Sequence, residues 1–249
     1  ITLQADVLSV NAITWSPEGS KIATRSNDST MIVWNTGNGQ KLFTLKGTKP
    51  SGWSPDGTKF LMAGYKNYGF VYSSSTGEVL ISLDTLHPFN STVQWSPDGS
   101  KFISTENNSA FIWSAVTGEK LFTLTGDGYY IRSVSWSPDG TKIAMSLDTT
   151  VGIWSALTRD ALLTINTPTE YILGMRWSPD GSKIATAMGD YTSVIWSVAS
   201  GDKLYTLRGH TDEITALQWS PDGSRIATAS KDKTAKIWYI TDPNSVEEV

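Results

Sequence analysis

An all-β fold of six four-stranded antiparallel blades is what the sequence predicts, and three observations predict it. The pentapeptide Trp-Ser-Pro-(Asp/Glu)-Gly occurs six times, starting at Trp15, Trp53, Trp95, Trp136, Trp177 and Trp219. A second aromatic follows each copy, at Trp34, Tyr72, Trp113, Trp154, Trp196 and Trp238, and these two positions hold all 11 Trp residues. Between them run short β-branched and aromatic stretches bounded by turn residues, which are strand signals. A repeat of about 40–45 residues with four strands is what a blade of a six-bladed β-propeller requires.

The sixth repeat shows the elements in order. Its first strand is Ile214-Thr215-Ala216-Leu217-Gln218-Trp219. Ser-Pro-Asp-Gly follows as a tight turn, with Pro setting the bend and Gly tolerating positive φ. Arg225–Ala229 is the second strand, Lys231-Asp232-Lys233 a polar loop and Thr234–Trp238 the third strand. Fourth strands are expected at Leu42–Leu45, Val79–Leu83, Leu121–Leu124, Leu162–Ile165 and Leu204–Leu207. The sixth repeat has none after it, whereas Ile1-Thr2-Leu3 matches Phe43-Thr44-Leu45. Residues 1–4 are therefore expected to complete the last blade and close the ring, which leaves only short outer edges. Burial of Ile1 and Leu3 would contribute roughly 1.5–3 kcal/mol each. The domain then covers residues 1–241, with a tail over 242–249.

Composition narrows the function classes. The 249 residues are 39% hydrophobic and 18% charged, as in an ordinary globular protein. The formal charge is −4 with no basic block, which argues against nucleic acid and anionic membrane as main partners. No apolar run approaches the roughly 18 residues of a membrane span. No signal peptide is visible at the start, and a cytoplasmic setting is expected. There is no Cys, so disulfides and thiolate chemistry are excluded. The two His residues, His87 and His210, are too few for a His-rich metal site. Neither a nucleophile elbow, a phosphate loop nor a dinucleotide fingerprint occurs, so no catalysis and no cofactor is expected.

The six turns, the run Asp232-x-Thr-x-x-Ile-Trp238 and Gly209-His210 together resemble the WD-repeat family, over about residues 1–240. The resemblance implies a rigid, monomeric interaction platform for a protein or peptide partner. It also implies a structural hydrogen-bond network in the sixth repeat, through His210, Thr228, Asp232 and Trp238. Elsewhere the His position holds Asp6, Thr48, Leu86, Asp127 and Pro168, so the other five repeats are expected to rely on apolar packing.

By the same resemblance, the fourth-to-first and second-to-third strand loops share the top face, and two positions per repeat carry contacts. The first set is Ser9, Phe89, Tyr130, Tyr171 and Glu213; the second is Asn27, Tyr65, Glu106, Leu147, Gly189 and Lys231. Tyr65, Phe89, Tyr130 and Tyr171 are expected to form an aromatic belt, since large rings in exposed loops are typical interface anchors. Rings beside Asn and Asp also suit sugar faces, which makes a carbohydrate or small-ligand binder the alternative.

Three further expectations are structural. The turn carboxylates Glu18, Asp56, Asp98, Asp139, Asp180 and Asp222 stand three residues before Lys or Arg, in exposed ion pairs of about 0–1 kcal/mol. Asp6 with Asp28, and Asp127 with Asp148, could face each other as carboxylate pairs fit for a hard cation. The second repeat is four residues short before Trp53 and reads Lys46-Gly47-Thr48-Lys49-Pro50-Ser51-Gly52 there, which predicts a poorly formed first strand beside a notch.

Overall fold

The computed structural model describes residues 1–4, 9–27, 30–46, 49–63, 68–84, 93–127, 130–167 and 171–240. All regular structure is antiparallel sheet, in six sheets that follow the six repeats. Sheet one is β1 (Val10–Trp15), β2 (Lys21–Ser26), β3 (Thr30–Asn35) and β4 (Lys41–Lys46). Sheet two is β5 (Lys49–Trp53), β6 (Lys59–Ala63), β7 (Tyr68–Ser73) and β8 (Val79–Asp84). Sheet three is β9 (Val93–Trp95), β10 (Lys101–Glu106), β11 (Ser109–Ser114) and β12 (Lys120–Thr125). Sheet four is β13 (Ile131–Trp136), β14 (Lys142–Leu147), β15 (Thr150–Ser155) and β16 (Ala161–Asn166). Sheet five is β17 (Ile172–Trp177), β18 (Lys183–Met188), β19 (Ser193–Ser197) and β20 (Lys203–Leu207). Sheet six is β21 (Ile214–Trp219), β22 (Arg225–Ser230) and β23 (Ala235–Tyr239). Contacts divide the chain into two compact units: Ile1–Glu106 with Phe111–Thr123, and Asn107–Ala110 with Leu124–Val249.

Each unit is built by stacking sheets face to face. In the first, Met31, Val33 and Leu45 pack against Trp53, Phe60 and Tyr72. Leu61, Val71 and Leu83 pack in turn against Trp95, Phe102 and Trp113. In the second, Val151, Ile153 and Ile165 meet Ile172, Met175 and Trp177, while Ala185, Ile195 and Leu207 meet Leu217, Trp219 and Ile226. A sheet covered on both faces has no polar side to alternate with. That is why Ile143, Ala144 and Met145 are consecutive along β14 and all fully buried.

The inner strands are also tied by their indoles. Trp95 Nε1 donates to Gly52 O at 3.1 Å in the first unit. In the second, Trp177 Nε1 donates to Ser135 O and Trp219 Nε1 to Arg176 O, each at 3.3 Å. Such a bond spares a buried indole N–H the cost of an unmet donor, whereas the Nε1 atoms of Trp53 and Trp136 have no partner among the described residues.

Residues 1–4 lie in no strand, and sheet six has three strands among the described residues. The expected strand pairing of this segment is therefore not seen. Its packing, however, is that of a fourth strand on the sheet that follows. Leu3 rests on Ile22, Ile32 and Trp34, and a methyl on Gly39 would collide with Ile1. Phe43 stands in the same relation to Gly77, and Ile81 to Gly118. Ile1 itself stays 83% exposed, so the burial expected of it is not realised.

The Ser-Pro-Asp-Gly turns differ from expectation in a consistent way. Among the described residues only Glu18 meets its basic partner, Lys21, at 3.2 Å. The aspartates bond hydroxyls and amides instead. Ser54 Oγ donates to Asp56 Oδ1 at 2.5 Å, while Thr58 donates its amide and its hydroxyl to the same carboxylate at 3.0 and 2.8 Å. Local donors cost less side-chain entropy than a long Lys would. The Ser54 hydroxyl bond, with the Thr58 amide behind it, holds Asp56 at about 2 instead of 3.8. Asp98, Asp139, Asp180 and Asp222 are held at about 2 by the equivalent serines. These pKa values lie below the unfolded value. The stability they carry is therefore complete above pH 3.8 and is lost as pH falls through about 2. Successive turns also touch. A methyl on Gly99 would stand 3.4 Å from Pro55 Cδ, and methyls on Gly181 and Gly223 would stand 3.6 Å from Pro138 and Pro179.

Candidate interaction surface

The loop ends opposite these turns are pinned in pairs. Within a repeat, the residue that enters the first strand accepts from the residue that leaves the second. Asn27 N donates to Ser9 O at 3.3 Å, Gly189 N to Tyr171 O at 2.9 Å and Lys231 N to Glu213 O at 2.9 Å. These are the paired positions expected on the top face, and the backbone brings them together. Side chains reinforce two pairs. Asn27 Nδ2 donates to Ser9 Oγ at 2.7 Å, and Lys231 Nζ donates to Glu213 Oε2 at 2.8 Å. The Glu213 carboxylate raises the Lys231 pKa through that bond.

Tyr171 extends from this framework and Tyr130 stands at the corresponding position of the fourth repeat, each 60% exposed. Both belong to the second unit, at the entries to β13 and β17. Tyr65 and Phe89, the other two rings of the expected belt, lie outside the described residues, as does His87. Asn27 is exposed, and Glu106 is half-buried at the end of β10. Leu147 is buried instead of presented, because Gly126 leaves a seat for its side chain where a methyl could not fit.

The His210 network anchors the sixth repeat beneath this surface. Trp238 Nε1 donates to Thr228 Oγ1 at 3.0 Å. Thr228 Oγ1 lies 2.7 Å from His210 Nε2, and His210 Nδ1 lies 2.7 Å from Asp232 Oδ2. With the indole donating to it, the Thr228 hydroxyl donates to Nε2, which leaves the imidazole proton on Nδ1 for the carboxylate. Asp232 also accepts from Thr234 and from Thr211 N. The Thr234 hydroxyl, with His210 and these amides, pulls its carboxyl well below the usual carboxylate range.

The other repeats keep more of this network than expected. Trp34 Nε1 donates to Thr24 Oγ1 at 2.8 Å, Trp113 Nε1 to Ser104 Oγ at 2.9 Å and Trp196 Nε1 to Thr186 Oγ1 at 2.9 Å. Without a His to accept from it, the Thr186 hydroxyl donates to Val194 O at 3.3 Å and the Thr24 hydroxyl to Ile32 O at 3.5 Å. A main-chain carbonyl thus takes the acceptor role, and apolar packing does not act alone. Asp6 and Asp28 lie outside the described residues, while Asp148 Oδ1 is 3.9 Å from Arg132 Nε.

The second repeat forms the strand that its Pro and Gly content argued against. β5 pairs with β6, with a register shift between Pro50 and Gly52, and Gly52 takes φ 116° to permit it. Gly52 borders a hollow of about 230 Å³ whose other lining, including Ile13, Thr14, Ala23, Arg25 and Met31, belongs to the first repeat.

Repeated four-stranded sheets with tight turns at one end and pinned variable loops at the other define a repeat scaffold. The model of the WD domain, G-beta repeat, matches residues 2–35, 118–155 and 201–239. That of the anaphase-promoting complex subunit 4 WD40 domain matches residues 152–219. The chain belongs to the WD-repeat family. No curated protein matches it in sequence. Among solved structures it is similar to the C-terminal WD40 domain of Sif2, with TM-score 0.78 and 21% identity over 92% of this chain and 69% of that one. It is also similar to a chain of a mitotic checkpoint complex, with TM-score 0.73 and 22% identity over 96% and 77%. In all, 1748 structure chains match, so the fold is too widely shared to specify a partner.

Proposed function

We propose that this protein is a non-catalytic interaction scaffold that binds a protein or peptide partner through its top-face loops. The observation that carries the reading is the pair Tyr130 and Tyr171, each 60% exposed, with the backbone held at Tyr171 by Gly189 N and next to Tyr130 by the bond from Ile131 N to Asn107 O. A ring held out at low entropy cost is a good anchor, because less freedom is lost when a partner orders it. Glu213, Lys231, Asn27 and Glu106 supply polar contacts around such anchors, and Tyr65 and Phe89 extend the belt in this reading. The test is a comparative pull-down from lysate read by mass spectrometry. Its baits are the wild type and a variant with Tyr65, Phe89, Tyr130 and Tyr171 changed to Ala, both shown to be folded by circular dichroism. Proteins lost only with the variant are expected; equal recovery by both baits would sink the site.

The same reading takes the six sheets as blades of one ring, with residues 1–4 supplying the last blade's outer strand. The seat of Leu3 on sheet one and the three-stranded form of sheet six among the described residues support it. Further support comes from exposed apolar side chains on the first and last sheets. Trp15 and Ile13 are 60% and 64% exposed on β1, and Ile237 is 48% exposed on β23. Deleting residues 1–4 should therefore lower the melting temperature, and an unchanged value would reject this closure.

A further inference from the structure

The innermost strands of the second unit enclose a hollow of about 220 Å³ that the loop reading does not use. β13, β17 and β21 line it, each the edge strand of its own sheet. The space exists because Gly174 sits at its centre with no side chain, and a methyl there would meet nothing within 4 Å. Met175, Leu217 and Ala187 give it an apolar floor.

Among the described residues its charged lining is Arg132 and Arg176, and the Asp148 carboxylate beside Arg132 is not part of that lining. This is notable in a chain whose formal charge is −4. Arg132 has Asp148 Oδ1 at 3.9 Å, too long for a hydrogen bond, and keeps 49% of its side chain exposed. Arg176 spends one N–H, from Nη1, on Met175 O at 2.9 Å. A guanidinium carries five N–H donors in a planar fork, so both have capacity left for a ligand.

The two arginines are anchored at different heights along their strands. Counted from the repeat Trp, Arg132 is three positions nearer the loop end than Arg176, about 10 Å along a strand. That is the reach of two to four residues of extended chain, whose backbone can run beside the edge strands. We propose that this hollow binds an acidic peptide segment in extended form, with one carboxylate on Arg132 and a second on Arg176. The site stands apart from the top-face aromatics and does not depend on them.

Fluorescence anisotropy with a labelled peptide of alternating Glu and Ser tests it, beside the same peptide with Gln for Glu. Saturable binding of the Glu peptide is expected, with the Gln peptide weaker. Arg132→Ala and Arg176→Ala should each weaken it on the order of tenfold. Gly174→Leu should abolish it by filling the space, and because Gly174 lies outside the left-handed region the change imposes no backbone strain. If that variant fails to fold, the arginine variants still decide the matter. The proposal is overturned by absence of saturable binding, by equal binding of the Gln peptide or by arginine variants that bind like wild type. It is overturned as well if inorganic triphosphate displaces the peptide at lower concentration than free Glu peptide does. Loss of binding on changing Tyr130 and Tyr171 to Ala, with the arginine variants unaffected, would place the peptide on the loops and likewise reject it.

Discussion

Phe102→Ala should destabilise the protein by about 3–5 kcal/mol, the range of a fully buried aromatic truncated to a methyl. Phe102 is fully buried near the start of β10. Its ring meets Trp95 edge-on at 5.7 Å and stacks on Trp113 at 6.3 Å. Those two indoles come from the first and third strands of the same repeat, so the ring fills the space between the two repeat positions. Neither Trp can move into the gap, because Trp95 Nε1 is fixed to Gly52 O and Trp113 Nε1 to Ser104 Oγ. The cavity therefore stays open and the cost stays near the top of the range. Urea denaturation followed by tryptophan emission measures it. A loss under about 1 kcal/mol would mean that the site collapses and that the indole bonds do not hold it.

His210→Ala should cost about 2–3 kcal/mol, from one neutral and one charge-assisted hydrogen bond lost in a buried site. For a chain of this length that corresponds to a fall in melting temperature of about 5–10 °C. Asp232→Asn should also destabilise, since Oδ1 accepts from Thr234 and Oδ2 from Thr211 N and His210, and an amide keeps only one of these two oxygens. The double variant should fall short of the sum, because both changes break the same bond. Asp190, which accepts from Thr192 in the fifth repeat but has no His to hold, provides the contrast. Asp190→Asn should leave the melting temperature nearly unchanged. Additive losses for His210 and Asp232 would show that they act separately and reject the network as a unit.

The repeat made most of the fold legible. Where a Trp, a Ser-Pro-Asp-Gly turn and short β-branched and aromatic runs recur, strand positions follow from turn chemistry, and β21 falls on Ile214–Trp219 as read. The His210 network was legible because its four residue types occur together once. Its reduced form at Thr24, Ser104 and Thr186 was missed, although the signal is simple: a hydroxyl nine or ten residues before the second Trp. Exposure was less legible. Leu147 was expected at the surface, but its fate is set by the missing side chain of Gly126 in a neighbouring loop. The hollow over Gly174 lay further from view, since it depends on how three strands from three repeats lie side by side. The turn ion pairs were overestimated because a Lys three residues away looks available on paper, while the adjacent Ser and Thr hydroxyls reach the carboxylate first.

The contact between successive turns carries a rule of succession. At four of the turns a Gly faces the Pro of the turn before it, the same two shapes at Pro55 and Gly99 as at Pro179 and Gly223. A junction of that kind does not distinguish one neighbour from another. Any repeat that carries the pentapeptide can follow any other, so a duplicated segment arrives with both halves of its joint already cut. The number of repeats can then grow or shrink by copying whole segments, with no matching change needed in those on either side. Loop residues at the far end drift independently, because the spacing of the stack is written into the turn.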